Sequence, residues 1–218
     1  MVGMTKQKKM RRQKALGQAL FGLSLLFLLL ALSILAWAVW PSSTDSIQLS
    51  IPAGTLPGAP VGADYASQAD YTLTLEWPTR LRKGQEGALR ATLVEAGNGA
   101  AGRETQSVLI EPVLSGVMLD PPGLVQANLA AGQTLVETWG IDTGAAGDFS
   151  GKIYVSFGFY DEENAELIAV PMAVVDMATR VTALWGLNTQ LALWFGLVAL
   201  VFWGALFILG RVVQGEVR

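Results

Sequence analysis

Two apolar stretches without a charge, Leu16 to Trp40 and Leu191 to Leu209, bracket this chain. Between them lies a polar segment of about 140 residues, Pro41 to Arg180. The first stretch holds 25 residues, fourteen of them Leu, Ile, Phe or Val. At a rise of about 1.5 Å per residue it reaches about 37 Å, enough to cross a hydrocarbon core of about 30 Å with some tilt. The second stretch spans about 28 Å on the same measure. Upstream of it, Val181 to Gln190 is mixed, with Thr182, Asn188, Thr189 and Gln190, so the helix is expected to begin near Thr182 and to be half wet there. The alternative, buried helices of a soluble protein, would need two uninterrupted apolar runs with no polar face in one chain.

These runs set out a chain in five parts. They are a basic tail (1–15), a first membrane helix (16–40), an outer domain (41–180), a second membrane helix (181–210) and a short tail (211–218). Lys6, Lys8, Lys9, Arg11, Arg12 and Lys14 precede the first helix with no acid among them, and Arg211 and Arg218 follow the second. The fifteen residues after the first helix carry neither Lys nor Arg. Positive flanks stay cytoplasmic, so both termini are expected inside a cell membrane and the domain outside it. Trp37, Trp40 and Trp185 fall where the outer interface should lie, as interface anchors. A cleaved signal peptide is the rival for the first run, because Ala36-Trp37-Ala38 has the small-x-small form of a cleavage site. The run is longer than a signal's apolar core, and Trp37, Val39 and Trp40 crowd the site. Cleavage would leave the same domain on the same side, held by one helix.

The net charge of −3 conceals a polarity. Residues 41–180 hold seventeen acids against seven bases, a net of −10, while the first fifteen residues carry +6. An acidic outer domain is a poor partner for nucleic acid, whose phosphates require clustered Lys and Arg. The basic tail suits anionic headgroups at about 1 kcal/mol per residue, or serves as an orientation signal alone. The chain has no Cys and no His. Disulfides, thiolate metal sites and thiol catalysis are therefore excluded, and the commonest general base and transition-metal ligand are missing. No cofactor is expected, and no enzyme.

Period-two alternation marks the domain as β. Tyr71, Leu73, Leu75 and Trp77 alternate with Thr72, Thr74 and Glu76, and Leu89, Ala91 and Leu93 with Arg90 and Thr92. Val108 to Leu114 is a further run, and Asp120-Pro121-Pro122-Gly123 reads as a turn. Across Gln133 to Ile141 the alternation sets Glu137 beside Leu135 and Trp139, which suggests a bulge or a misread face. Ile153, Val155, Phe157 and Phe159, a turn at Asp161 to Asn164, then Ile168, Val170, Met172 and Val174 make the clearest hairpin. Seven or eight strands about ten residues apart suggest an antiparallel sandwich. In this pattern the domain resembles immunoglobulin-like or fibronectin-III-like modules of exported bacterial proteins. The resemblance implies a β-sandwich ectodomain and carries no functional residue with it. Residues 41–69, rich in Pro and Gly between Pro52 and Pro60, are expected as a tether or a loop lying on the sandwich. Four residues, Met177 to Arg180, would separate the last strand from the second helix.

Candidate chemistry is thin. Asp161, Glu162, Glu163, Asn164 and Glu166 could offer oxygens to calcium but lack the spacing and turn glycine of a calcium loop, and a solvated hairpin tip fits them better. Ser150 and Lys152 suggest a Ser/Lys pair only if Lys152 leaves its strand. Gly97 to Gly102 precedes no Lys-bearing helix and is not a phosphate cradle. Within the second helix, Ala192, Gly196, Ala199 and Gly204 offer small residues on which another helix can pack closely, and Ala15, Ala19 and Gly22 do so in the first. Neither run carries an ionisable group, which disfavours ion or proton conduction. The expected function is a non-enzymatic accessory or structural subunit of a membrane assembly, in contact with the lipid bilayer and with a membrane-protein partner through its helices. The alternative is a stand-alone extracytoplasmic module that binds a ligand or another protein.

Overall fold

The computed structural model describes residues 2–59, 65–67, 69–95, 105–161 and 166–215, with the side chains of 2–13, 55, 161, 214 and 215 excepted. It divides into two units, a helix pair built from both ends of the chain (1–41 and 183–218) and a β domain (42–182).

In the helix pair, α1 covers Val2–Val39 and α2 covers Thr189–Gly215. Both are long and apolar enough to cross a membrane, over Lys14–Val39 and Thr189–Val213. Of the most apolar window of either helix, 17% is buried. Two expected boundaries move. Helix α1 begins at Val2, so the basic segment before the apolar run is helical as far as the structure describes it. Helix α2 starts at Thr189 rather than near 182, because Asn188 caps it: its Oδ1 accepts a hydrogen bond from Leu191 N at 2.8 Å.

The β domain contains eleven strands among the described residues. They are β1 (Ser43–Ile51), β2 (Gly54–Thr55), β3 (Ala66–Ser67), β4 (Tyr71–Arg82), β5 (Gly87–Glu95), β6 (Gln106–Leu114), β7 (Met118–Asp120), β8 (Val125–Leu129), β9 (Thr134–Asp142), β10 (Gly147–Asp161) and β11 (Glu166–Thr182). Nine form one sheet in the order β7-β9-β5-β4-β11-β10-β6-β8, with β1 also on β4, and β2 and β3 pair separately. Every contact in the large sheet is antiparallel except one, a three-residue parallel joint between Arg80–Arg82 of β4 and Arg180–Thr182 of β11. That joint lets the sheet curl back over itself. Thr179 Oγ1 donates to Pro78 O at 2.7 Å inside the fold, and Lys83 N donates to Thr182 O at 2.9 Å, so the corner is stitched by bonds that a flat sheet would not make.

The curled arms share one core. Leu73, Leu75, Leu89, Leu93, Trp139 and Ile141 come from one arm. Val108, Ile110, Ile153, Val155, Phe157 and Val170 come from the other. Across the gap the Tyr71 and Phe157 rings meet edge-on with centroids 5.1 Å apart. The anticipated strands lie where their alternation puts them, and the hairpin of β10 and β11 pairs from Gly147↔Val181 to Asp161↔Glu166. Its tip, residues 162–165, lies outside the described residues, as does the glycine loop 97–102.

Three features differ from expectation. The tether 41–69 contains β1, whose Ser43 to Ile51 pair with Tyr71 to Arg80 of β4. Strand β9 pairs with β5 without a bulge: Glu137 lies opposite Ala91 in unbroken register, half-buried at the sheet's rim. The last strand continues to Thr182, so the link to α2 is the turn at 183–188, not Met177 to Arg180.

Candidate functional site

Four small residues of α1 are buried at intervals of seven: Gly17, Ser24, Ala31 and Ala38. On α2 the buried set is Ala192, Gly196, Ala199 and Gly210. The helices run antiparallel, since Phe21 stacks near Phe207 (6.1 Å between centroids), Phe27 near Phe202 (6.0 Å) and Gly196 against Leu35. A seven-residue repeat of small side chains is what two helices need to stay in contact along their length at a shallow crossing angle. The approach is closest at Gly196. A Cβ there would lie 2.8 Å from both Cγ and Cδ2 of Leu35 and 3.5 Å from Ile34 Cγ2. At Gly210 it would lie 3.7 Å from Leu20 Cβ.

Of the small residues singled out in α2, Ala192, Gly196 and Ala199 are therefore spent on the chain's own first helix. Gly204 is not, because a Cβ there meets nothing within 4 Å. In α1, Ala15, Ala19 and Gly22 face outward, and the stripe buried against α2 lies on Gly17, Ser24, Ala31 and Ala38.

Leu187 N donates to Leu184 O at 2.9 Å across the turn before α2. Its two central residues both have positive φ, 52° at Trp185 and 78° at Gly186. Glycine takes this conformation freely, whereas for tryptophan it is a costly outlier. The turn leaves the Trp185 side chain 74% exposed, and Trp40, at the end of α1, is 70% exposed. Trp37 is half-buried. Beside the turn, an apolar groove of about 350 Å³ runs between the helices, lined by Phe27, Ile34, Trp185, Phe195, Val198 and Phe202 among others. At the opposite end of α2, the Arg211 guanidinium sits 5.4 Å above the Phe207 ring.

The β domain has a recess of its own, about 610 Å³, where the β4–β5 turn (Gly84, Glu86, Gly87) faces Met118 to Asp120 and Gly140 to Asp142. Leu119 and Ile141 form an apolar floor, and Glu86, Asp120 and Asp142 stand around it. Among the described residues no three acidic side chains are grouped closely enough to hold a metal ion. Lys152 stays in its strand and pairs with Asp176 at 3.2 Å, directly across β11, so it forms no pair with Ser150. Four register positions away, Arg180 Nε donates to Asp148 Oδ1 at 2.6 Å and Nη2 to Oδ2 at 3.1 Å. That forked contact holds the Asp148 carboxyl below its ordinary value.

No protein-family model matches the chain, and no curated protein matches it. Among solved structures, the β domain is similar to the PapD-like domain 7 of human CEP192, at 7% identity over 49% of this chain and 81% of that one, with a TM-score of 0.28. A second is a β-glucosidase from Listeria innocua, at 14% identity and TM-score 0.31, covering 60% of this chain and 18% of the enzyme. Both likenesses concern a β fold and go no further.

Proposed function

We propose that the chain is an integral membrane protein that acts by holding partners rather than by turning over substrate. In this reading α1 and α2 span a cell membrane with both termini cytoplasmic, and the β domain is an immunoglobulin-like module outside. One observation carries it: the helix pair turns bulky apolar side chains outward all along its length. Leu25, Leu26, Leu29 and Leu32 on α1 and Trp194, Phe195, Val201 and Phe202 on α2 are exposed. So large an apolar surface is stable in lipid and not in water. A small-residue seam holding the two helices together leaves that outer face free for a further membrane helix, with Gly22 and Gly204 both unobstructed for an added Cβ. The partner is therefore expected against the outer face, not at Gly196. The absence of His and Cys from the sequence and the two uncharged spans favour an accessory or structural subunit over an enzyme or transporter.

The test has two arms. A reporter active only outside the cytoplasm should work within Gly97 to Gly102 and fail at Arg218; the reverse pattern refutes the orientation. The full chain extracted in mild detergent should co-purify with a different membrane protein at constant ratio, and Gly204→Leu should reduce that ratio. Recovery without any other membrane protein would favour the second reading, a stand-alone extracytoplasmic binding module. The recess around Leu119 and Ile141 is the observation in its favour, because its size suits a small ligand or a partner's side chain.

A further inference from the structure

Strand β1 pairs on one side only. Among the described residues its nine positions meet β4 and no other strand, while the two ends of the sheet are strands of three residues (β7) and five (β8). An unpaired edge leaves a row of N–H and C=O groups ready to accept another strand, and proteins normally blunt it with Lys, Pro, a bulge or a cover. Strand β1 has almost none of these. Its sequence, Ser-Thr-Asp-Ser-Ile-Gln-Leu-Ser-Ile, contains no Lys, Arg or Pro and a single charge, Asp45. The one irregularity in its pairing falls at the extreme end, between Ser43 and Thr44. Ser43 to Ser46, Gln48 and Ser50 are exposed. Pro41 and Pro52, just outside the strand, would stop any added strand from running further.

We propose that β1 pairs antiparallel with β1 of a second copy of this chain, about a two-fold axis through Ile47. The segment is complementary to itself in that register. Ile47 meets Ile47, Ser46 meets Gln48, Thr44 meets Ser50, and Asp45 meets Leu49. The inward residues Ile47, Leu49 and Ile51 stay on one face, with Ile47 meeting Ile47 on the axis and Leu49 and Ile51 meeting Asp45 and Ser43 of the other copy. Ser46 beside Gln48 and Thr44 beside Ser50 are hydrogen-bonding pairs of the kind that stabilise adjacent strands. No like charges stand opposite each other. The two Asp45 residues lie four register steps apart, about 14 Å along the strands, beyond a Debye length of about 8 Å at physiological ionic strength. A two-fold axis uses each contact twice, and the edge disappears from both copies at once. The pairing stands on β1 alone and holds whether or not the helices cross a membrane. Each domain carries a net −10 over residues 41–180, so the copies repel and the dimer strengthens as salt is raised.

The chain has no cysteine, which makes single-cysteine cross-linking unambiguous. In the full-length protein in mild detergent, Ile47→Cys should form a disulfide-linked dimer, because two residues facing each other on the axis have Cα atoms about 4.5–5.5 Å apart, within disulfide range. Ser50→Cys should not, since its own copy lies six steps away, about 20 Å. A second comparison uses exposed positions that the fold does not need. Ser46→Lys with Gln48→Lys puts like charges opposite each other twice and should weaken dimerisation at least about tenfold in sedimentation. Ser46→Lys with Gln48→Glu puts opposite charges there and should keep the dimer. Glu76, across from Ser46 on β4, is present in both variants, so the difference reports the contact across the axis. A chain that is monomeric at every concentration overturns the proposal. So does equal linking of Ile47→Cys and Ser50→Cys, or equal dimerisation of the two charge variants, which would place self-association elsewhere.

Discussion

Gly196→Ala is the most economical probe of the helix pair. The added Cβ would lie 2.8 Å from Leu35 Cγ and Cδ2, where carbon atoms in contact normally keep about 3.5–4.0 Å. Relief requires Leu35 to rotate or the helices to part locally by about 0.7–1.2 Å. Overpacking of that kind costs about 1–3 kcal/mol. Gly204→Ala is the internal control, because its Cβ meets nothing within 4 Å. Both substitutions carry the same helix-propensity gain of about 1 kcal/mol, so their difference isolates the steric cost. In reversible unfolding of the full chain from mild detergent into a denaturing one, Gly204→Ala should be neutral or stabilising. Gly196→Ala should fall below it by about 1–3 kcal/mol. Leu35→Ala in the Gly196→Ala background should recover part of the loss, with a coupling of about 0.5 kcal/mol or more. Equal midpoints for the two alanine variants, or no coupling with Leu35, would refute the close approach of α1 and α2 at this point.

The β domain offers two further tests. At Gly151 a Cβ would run into the carbonyl oxygen of Val113 and lie 2.8 Å from Leu114 Cα; these are backbone atoms that cannot rotate away, so Gly151→Ala should force β6 off β10. A loss of about 1–3 kcal/mol or more in thermal unfolding is expected, and a loss under 0.5 kcal/mol would contradict the register. The Asp148–Arg180 pair predicts the sign of an acid effect. The folded carboxyl titrates below its ordinary value of 3.8, so its contribution is present above that pH and lost as pH falls through the folded value. Both side chains are exposed, so the effect is small and screened by salt. Melting temperatures of the parent and Asp148→Asn should differ at pH 6 and converge as the pH falls through the lowered folded value; a gap that widens in acid would contradict the assignment.

The β domain was legible wherever one face of a strand is apolar and the other polar. Leu73 and Leu75, Leu89 and Leu93, Ile153, Val155 and Phe157, and Val170 all lie inward in the order that their alternation requires. Strand β1 obeys the same rule, with Ile47, Leu49 and Ile51 alternating against Gln48 and Ser50. It was hidden by its neighbours: prolines on both sides and a serine-rich start read as a tether. Glu137 misled in the opposite way. A carboxylate in an inward row suggested a bulge, yet half-burial at the rim is enough to keep it solvated in regular register. The parallel joint of β4 and β11 was out of reach, because it pairs residues a hundred positions apart and rests on buried hydroxyl–carbonyl contacts that no periodicity announces.

On the proposal that the helix pair lies in lipid, composition conceals its packing face, because both solvents are then apolar. In water, a helix declares its packing face by burying large apolar residues, but lipid tails satisfy Leu and Phe as well as a protein core does. The discriminating residues are then the small ones, and their period decides which partner they serve. Spacing by four, as in Ala192 and Gly196, suits one close crossing point with any helix. Spacing by seven, as in Gly17, Ser24, Ala31 and Ala38, suits contact along a whole helix. The second stripe has a matching surface in this chain: Leu35 lies over Gly196, and Leu20 beside Gly210. Long contact with α2 therefore occupies the inner faces of both helices. What remains for a partner is the outer surface of the pair, where Trp194 is exposed and an added Cβ at Gly204 meets nothing within 4 Å, so a substitution at Gly196 tests this chain's own integrity and one at Gly204 tests its company.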